Sequence, residues 1–143
     1  MHGHCLCGRI EFEVDGDRHK LYQCHCSLCR RQSGSLSNAS FIVAAGDFRW
    51  LRGEALVSKW QKASGFRSYF CSTCGSPVPN PLGNSAYHWV PAGLLEENGE
   101  LEVVAHFCLA SKASWDRGPF HGSCHDDLPD LPGFIALMRP TDA

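Results

Sequence analysis

Apolar and polar positions alternate over residues 9–14, where Glu11 and Glu13 separate Ile10, Phe12 and Val14. A repeat of two places successive side chains on opposite faces, so this stretch predicts a strand with one buried side. β-Branched and aromatic runs recur at 41–43, 48–51, 56–60, 66–70, 87–90 and 101–109. Turn-forming pairs punctuate them at Gly46-Asp47, Arg52-Gly53, Ser64-Gly65, Gly83-Asn84 and Asn98-Gly99. Strands this short, interrupted this often, predict a mainly β sandwich or folded sheet. One short helix is expected, at 27–33. Beyond Gly118, Pro119, Pro129, Pro132 and Pro140 argue for loops.

The chain has 143 residues, 43% hydrophobic and 20% charged, which fits one globular domain spanning 1–143. Its start, Met1-His2-Gly3-His4-Cys5, lacks the basic-then-apolar pattern of a leader, and no run is long enough to span a membrane. The expected address is cytoplasmic. The formal charge of −2 at pH 7 counts thiols as neutral. Binding of metal by deprotonated thiols would take it to roughly −5. An acidic chain lacks the basic stripe that nucleic acid requires, so neither nucleic acid nor membrane is an expected partner.

Cysteine changes this picture most. Seven of nine fall in three clusters: Cys5 and Cys7; Cys24, Cys26 and Cys29; Cys71 and Cys74. Zn²⁺ binds four ligands tetrahedrally with Zn–S of about 2.3 Å, so ligand sulfurs stand roughly 3.8 Å apart, and spacings this tight suit it. Seven sulfurs divide most naturally as four and three, a closed structural site and a site with one position open to chemistry. Cys7 precedes Gly8 and Cys74 precedes Gly75, residues that tolerate the positive φ of a sharp turn around a metal. Cys5, Cys7, Cys71 and Cys74 thus pair as one site that staples the N-terminal strand to the middle of the chain. Cys24, Cys26 and Cys29 form the other. Three alternatives stay open: the middle trio completed by a distant cysteine with the others spare, a redox C-x-x-C pair, and a disulfide framework.

Cys108 falls in an apolar run and reads as a small buried hydrophobe, Cys124 as an uninvolved surface thiol. His25, flanked by two ligands, is expected to support the site without ligating. His88 and His106 read as core or pocket residues, and His2, His4, His19, His121 and His125 as solvated. Trp50 and Trp60 read as core, whereas Trp89 and Trp115 are candidate pocket walls.

These motifs carry a resemblance. Gly3-x-Cys5-x-Cys7-Gly8, Cys24-His25-Cys26-Ser27-x-Cys29-Arg30-Arg31-x-Ser33-Gly34-Ser35, Phe70-Cys71-x-x-Cys74-Gly75-Ser76, Ala92-Gly93-x-Leu95, Ser111-Lys112-Ala113-x-Trp115 and Asp126-Asp127-Leu128-Pro129 resemble the glutathione-dependent formaldehyde-activating enzyme (GFA) family, whose other branch is centromere protein V. The resemblance covers about 3–130. It implies an Mss4-like folded β-sheet with zinc-binding loops and two zinc ions per chain. Cys5, Cys7, Cys71 and Cys74 would hold the structural ion, and Cys24, Cys26 and Cys29 the catalytic one. The implied activity is condensation of glutathione with formaldehyde, a carbon–sulfur lyase reaction giving S-hydroxymethylglutathione. Two departures concern the pocket rim: His125 stands where the family carries proline, and 117–124 is longer and richer in Gly and His.

The expected partners are a small thiol and an aldehyde. Glutathione's carboxylates need donors, for which Arg30, Arg31, Arg67 and Lys112 are candidates. Lys112, inside a matched motif, is the first choice, with Trp115 beside it as pocket wall. The competing readings are a zinc-stabilised binding module without catalysis and a metal or redox buffer.

Overall fold

The computed structural model describes residues 1–96 and 99–140. In chain order the first elements are β1 (His2–His4), β2 (Glu11–Val14), β3 (Arg18–Cys24), α1 (Ser27–Ser33), β4 (Asn38–Ala44) and β5 (Phe48–Arg52). There follow β6 (Val57–Gln61), β7 (Arg67–Cys71), β8 (Asn80–Pro81), β9 (Tyr87–Pro91), β10 (Glu100–Phe107), β11 (Ser123–Cys124) and α2 (Leu131–Met138). The architecture is mainly β, as the turn frequency predicts. Asn98, half of one expected turn, lies outside the described residues.

Three sheets form. The order β11-β10-β3-β4-β9-β8 makes a six-stranded sheet, β1-β2-β5 a three-stranded one, and β6-β7 a hairpin. The large sheet is mixed: β3 runs antiparallel to β4 but parallel to β10, which brings Phe107 opposite Cys24 across more than eighty residues of chain.

Alternation along β4 explains why both faces of the large sheet are covered. Phe41 and Val43 point to one side, where they meet Phe12, Val14, Phe48 and Val90 beneath the three-stranded sheet. Ile42 points to the other and joins Tyr22, Trp89, Phe107, Phe134 and Met138, with Cys24 and Cys29 in the same cluster. A third, smaller core of Cys5, Ile10, Cys71 and Val78 sits at the first cysteine site. The middle cysteines are thus planted in a hydrophobic layer roofed by α2.

Three expectations are corrected. His19 is buried, stacked on Phe41 with ring centres 4.5 Å apart. Trp60 is half exposed on the two-stranded hairpin, which offers no second layer to bury it. Residues 131–138 form a helix despite Pro132, because Asp130 caps it and proline in the first turn gives up an N–H that has no intrahelical partner.

Candidate active site

At the first cluster Cys5 and Cys7 sit on one turn and Cys71 and Cys74 on another, and the two turns are tied in the same way. The Cys5 amide donates to the Ile10 carbonyl (3.1 Å) and the Cys71 amide to that of Ser76 (2.9 Å). Gly8 donates to the Cys5 carbonyl and Gly75 to the Cys71 carbonyl, and both glycines hold φ near +80°. That left-handed conformation is strained for residues with a Cβ. Ser76 locks the turns together, its Oγ accepting from the Leu6 amide at 2.8 Å. The sulfurs of Cys5 and Cys7 are 3.6 Å apart and those of Cys7 and Cys71 3.9 Å apart, close to the edge of a ZnS₄ tetrahedron. Four free thiols within 4.8 Å of one another fit a closed zinc site.

The second cluster is built by the end of β3 and the start of α1. Cys24 ends the strand facing the hydrophobic layer. Cys26 caps the helix, its sulfur accepting from the Cys29 amide at 3.3 Å, and Cys29 rides the first turn. Their three sulfurs lie within 4.8 Å of one another, a donor set that fits one face of a zinc tetrahedron. Within the trio the thiol of Cys26 is the one held low. Hydrogen bonds from Cys24 and Cys29, reinforced by the amides of Cys29 and Leu28, lower its thiol to about 2. Cys24 is pushed far up by its bonds to Cys26 and Cys29 and by burial. Such a proton-sharing cluster gives up its protons when a dication is bound.

His25 turns away from the trio into a buried network. Its Nδ1 donates to Asp116 Oδ2 at 2.6 Å, and its Nε2 shares a hydrogen bond with His106 Nδ1 at 2.9 Å. All three residues are at most 2% exposed. Phe120 sets its ring edge-on to both imidazoles, and the Asp116 Oδ1 accepts from the Gly118 amide. The supporting role expected of His25 therefore has a partner, Asp116, that no spacing rule pointed to.

The trio opens into a cavity of about 510 Å³, within the usual range for small-molecule sites. Its walls are largely apolar, with Trp89, Phe66, Leu82, Leu128 and Phe134 among them. Among the described residues that line it, Arg67 is the one cation. Arg67 reaches across to the carbonyls of Pro81 and Gly83 (2.9 and 3.3 Å), leaving its Nε buried without a hydrogen-bond partner, as is Asn38 Oδ1. Both residues line the cavity.

Two proposed pocket residues lie elsewhere. Lys112 donates to the Asp116 carbonyl at 3.2 Å, and Trp115 is 63% exposed; neither lines the cavity. They stabilise and flank the loop that carries Asp116. Arg31 bonds the Ser27 carbonyl on the surface, and Arg30 is also absent from the walls. Trp89 does line the cavity, as expected. Cys108, expected inside a strand, instead follows β10 in the left-handed region (φ 58°) and faces the cavity. Cys124 is exposed.

The family model described as glutathione-dependent formaldehyde-activating enzyme matches residues 1–111. A protein of Halomonas elongata, provisionally named glutathione-dependent formaldehyde-activating enzyme, is 25% identical over 123 residues, covering 80% of this chain and 78% of the relative. The crystal structure of a Rhodobacter sphaeroides protein superposes with a TM-score of 0.58 at 27% identity, covering 69% of this chain and 91% of the other. Among the described residues no helix is long and apolar enough to cross a membrane. The chain belongs to the glutathione-dependent formaldehyde-activating enzyme family.

Proposed function

We propose that this chain is a zinc-dependent enzyme of the carbon–sulfur lyase class that joins a thiol, glutathione or a close relative, to formaldehyde. The observation that carries the reading is the convergence of three free sulfurs at the wall of a cavity that also holds Arg67. Cys24, Cys26 and Cys29 would hold zinc, which would supply the positive charge that keeps an incoming thiol deprotonated. The chain's own residues do the rest. Arg67 gives the cavity wall a positive charge that would draw a substrate carboxylate, and Asn38 adds an amide, while Trp89, Phe66 and Leu82 exclude water. The substrate sulfur then attacks the carbonyl carbon of formaldehyde, forming one C–S bond. The carbonyl oxygen takes up the proton that the thiol surrendered, so RSH and CH₂O become RSCH₂OH with nothing left over. Holding the two reactants side by side contributes by proximity.

The first cluster braces this machinery, and 1–143 acts as one domain with a cytoplasmic address where thiols stay reduced. The decisive comparison is zinc content and turnover in the wild type and Cys26→Ser. The variant is expected to fold, to keep one of two zinc ions, and to lose all acceleration over the uncatalysed condensation. A variant that unfolds, or that sheds both ions, makes the trio structural and removes the enzyme reading.

Arg67→Ala gives a finer expectation. A charge-assisted hydrogen bond is worth about 1.5–3 kcal/mol, so KM for a carboxylate-bearing thiol should rise roughly tenfold or more. Turnover at saturation should change little. A thiol without a carboxylate should not sense the substitution.

A further inference from the structure

We infer that the cavity accepts aldehydes larger than formaldehyde, and prefers those whose carbonyl carbon carries an apolar substituent, an alkyl chain or an aromatic ring. The inference rests on the proposed condensation and names a wider substrate class for it.

The surroundings of the trio carry it. Cys24 and Cys29 are buried in one hydrophobic cluster with Tyr22, Trp89 and Phe134, and Phe66 and Leu82 pack against that cluster. The same aromatic and leucine side chains line the cavity. A carbonyl carbon brought to the sulfurs therefore meets apolar walls. Further out the lining keeps this character, with Leu128 and Leu131, 53% and 39% exposed, on either side of Pro129. Exposed leucines on a cavity wall are surface that an apolar substituent would remove from water.

The polar lining is sparse and partly engaged. Arg67 donates to the carbonyls of Pro81 and Gly83, and Gln32 Nε2 donates to Ser68 Oγ at 3.4 Å. Among the described residues that line the cavity none is an aspartate or glutamate, so an ammonium finds no counter-charge there. The charged ends of a thiol such as glutathione thus belong near Arg67 or in solvent, which leaves the apolar walls to the aldehyde. Formaldehyde has no substituent to place on them, and its hydrate is a small diol that needs hydrogen bonds. A larger partner changes nothing in the chemistry. The thiol sulfur attacks the carbonyl carbon, one C–S bond forms, and the carbon–oxygen π bond opens. The oxygen takes the thiol's proton, so RSH and R′CHO become RSCH(OH)R′ without oxidant or reductant.

A homologous series of ethanal, butanal and hexanal, each with glutathione and zinc-loaded protein, tests this. Exchange NMR reads the interconversion of thiol and hemithioacetal, and each rate is divided by the rate without protein. Each buried methylene is worth about fourfold, so acceleration should rise roughly tenfold from ethanal to butanal and rise again to hexanal. A flat or falling series, with formaldehyde accelerated, overturns the inference and leaves the proposed function intact. Acceleration of hexanal but not of formaldehyde upholds the inference and corrects the proposed function. No acceleration of any aldehyde, in protein holding two zinc ions, overturns both. Leu131→Asp puts a charge on the exposed rim and should lower the hexanal rate about tenfold more than the ethanal rate. An equal effect on the two aldehydes overturns the inference.

Discussion

Cys71→Ser is expected to abolish the folded state. Cys71 is 1% exposed and belongs to the small core with Cys5, Ile10 and Val78. Its sulfur stands 3.9 Å from that of Cys7, on a turn otherwise tied to the Cys5 turn chiefly through Ser76. Structural zinc in small domains contributes about 10–16 kcal/mol, against a total stability of about 5–15 kcal/mol for a typical domain. A serine hydroxyl is a poor zinc ligand, so the loss is comparable with everything that holds the chain together. Circular dichroism should show no cooperative melt, and prolonged chelation of the wild type should reproduce that state. A variant melting within a few degrees of the wild type would show that hydrophobic contacts alone brace this corner.

Asp116→Ala is expected to cost about 1–3 kcal/mol for each buried donor left without its acceptor. The carboxylate is the partner of His25 Nδ1 and of the Gly118 amide. Without it a 1% exposed imidazole loses its acceptor, and the loop bearing Phe120 loses its anchor. Because His25 lies between Cys24 and Cys26, the damage should reach the trio, with faster release of the more labile zinc ion. Asp116→Asn keeps an acceptor of the same shape and should cost less. Urea denaturation and zinc release to a chelator measure the two effects. Equal stability of Asp116→Ala and wild type would mean that water replaces the carboxylate, and that the network is not a support.

Much of this molecule was legible from residue order because its decisive contacts are local. C-x-C and C-x-x-C spacing places sulfurs within reach of one ion whatever surrounds them, and glycine after Cys7 and Cys74 signals the turn. Strand β2 announced itself through strict alternation. Strand β3 did not, since Arg18-His19-Lys20 looks solvent-bound until His19 is seen stacked on Phe41. The partners of the second site were hidden for a related reason. Cys108 follows the parallel pairing of β10 with β3, and Asp116 reaches His25 from the loop beyond, long-range contacts without a sequence signature. Lys112 and Trp115 show the opposite error. Adjacency to a matched motif does not say which side of a loop a residue faces.

The parallel pairing of β3 with β10 also orders events during synthesis. All four cysteines of the first cluster have been made once Cys74 emerges, while about half the chain is still unmade. The cavity cannot exist until β10 has slotted beside β3 and Phe134 has closed the roof. A nascent chain therefore completes its first cysteine cluster early and its cavity last, and in the interval its second trio of sulfurs stands uncovered.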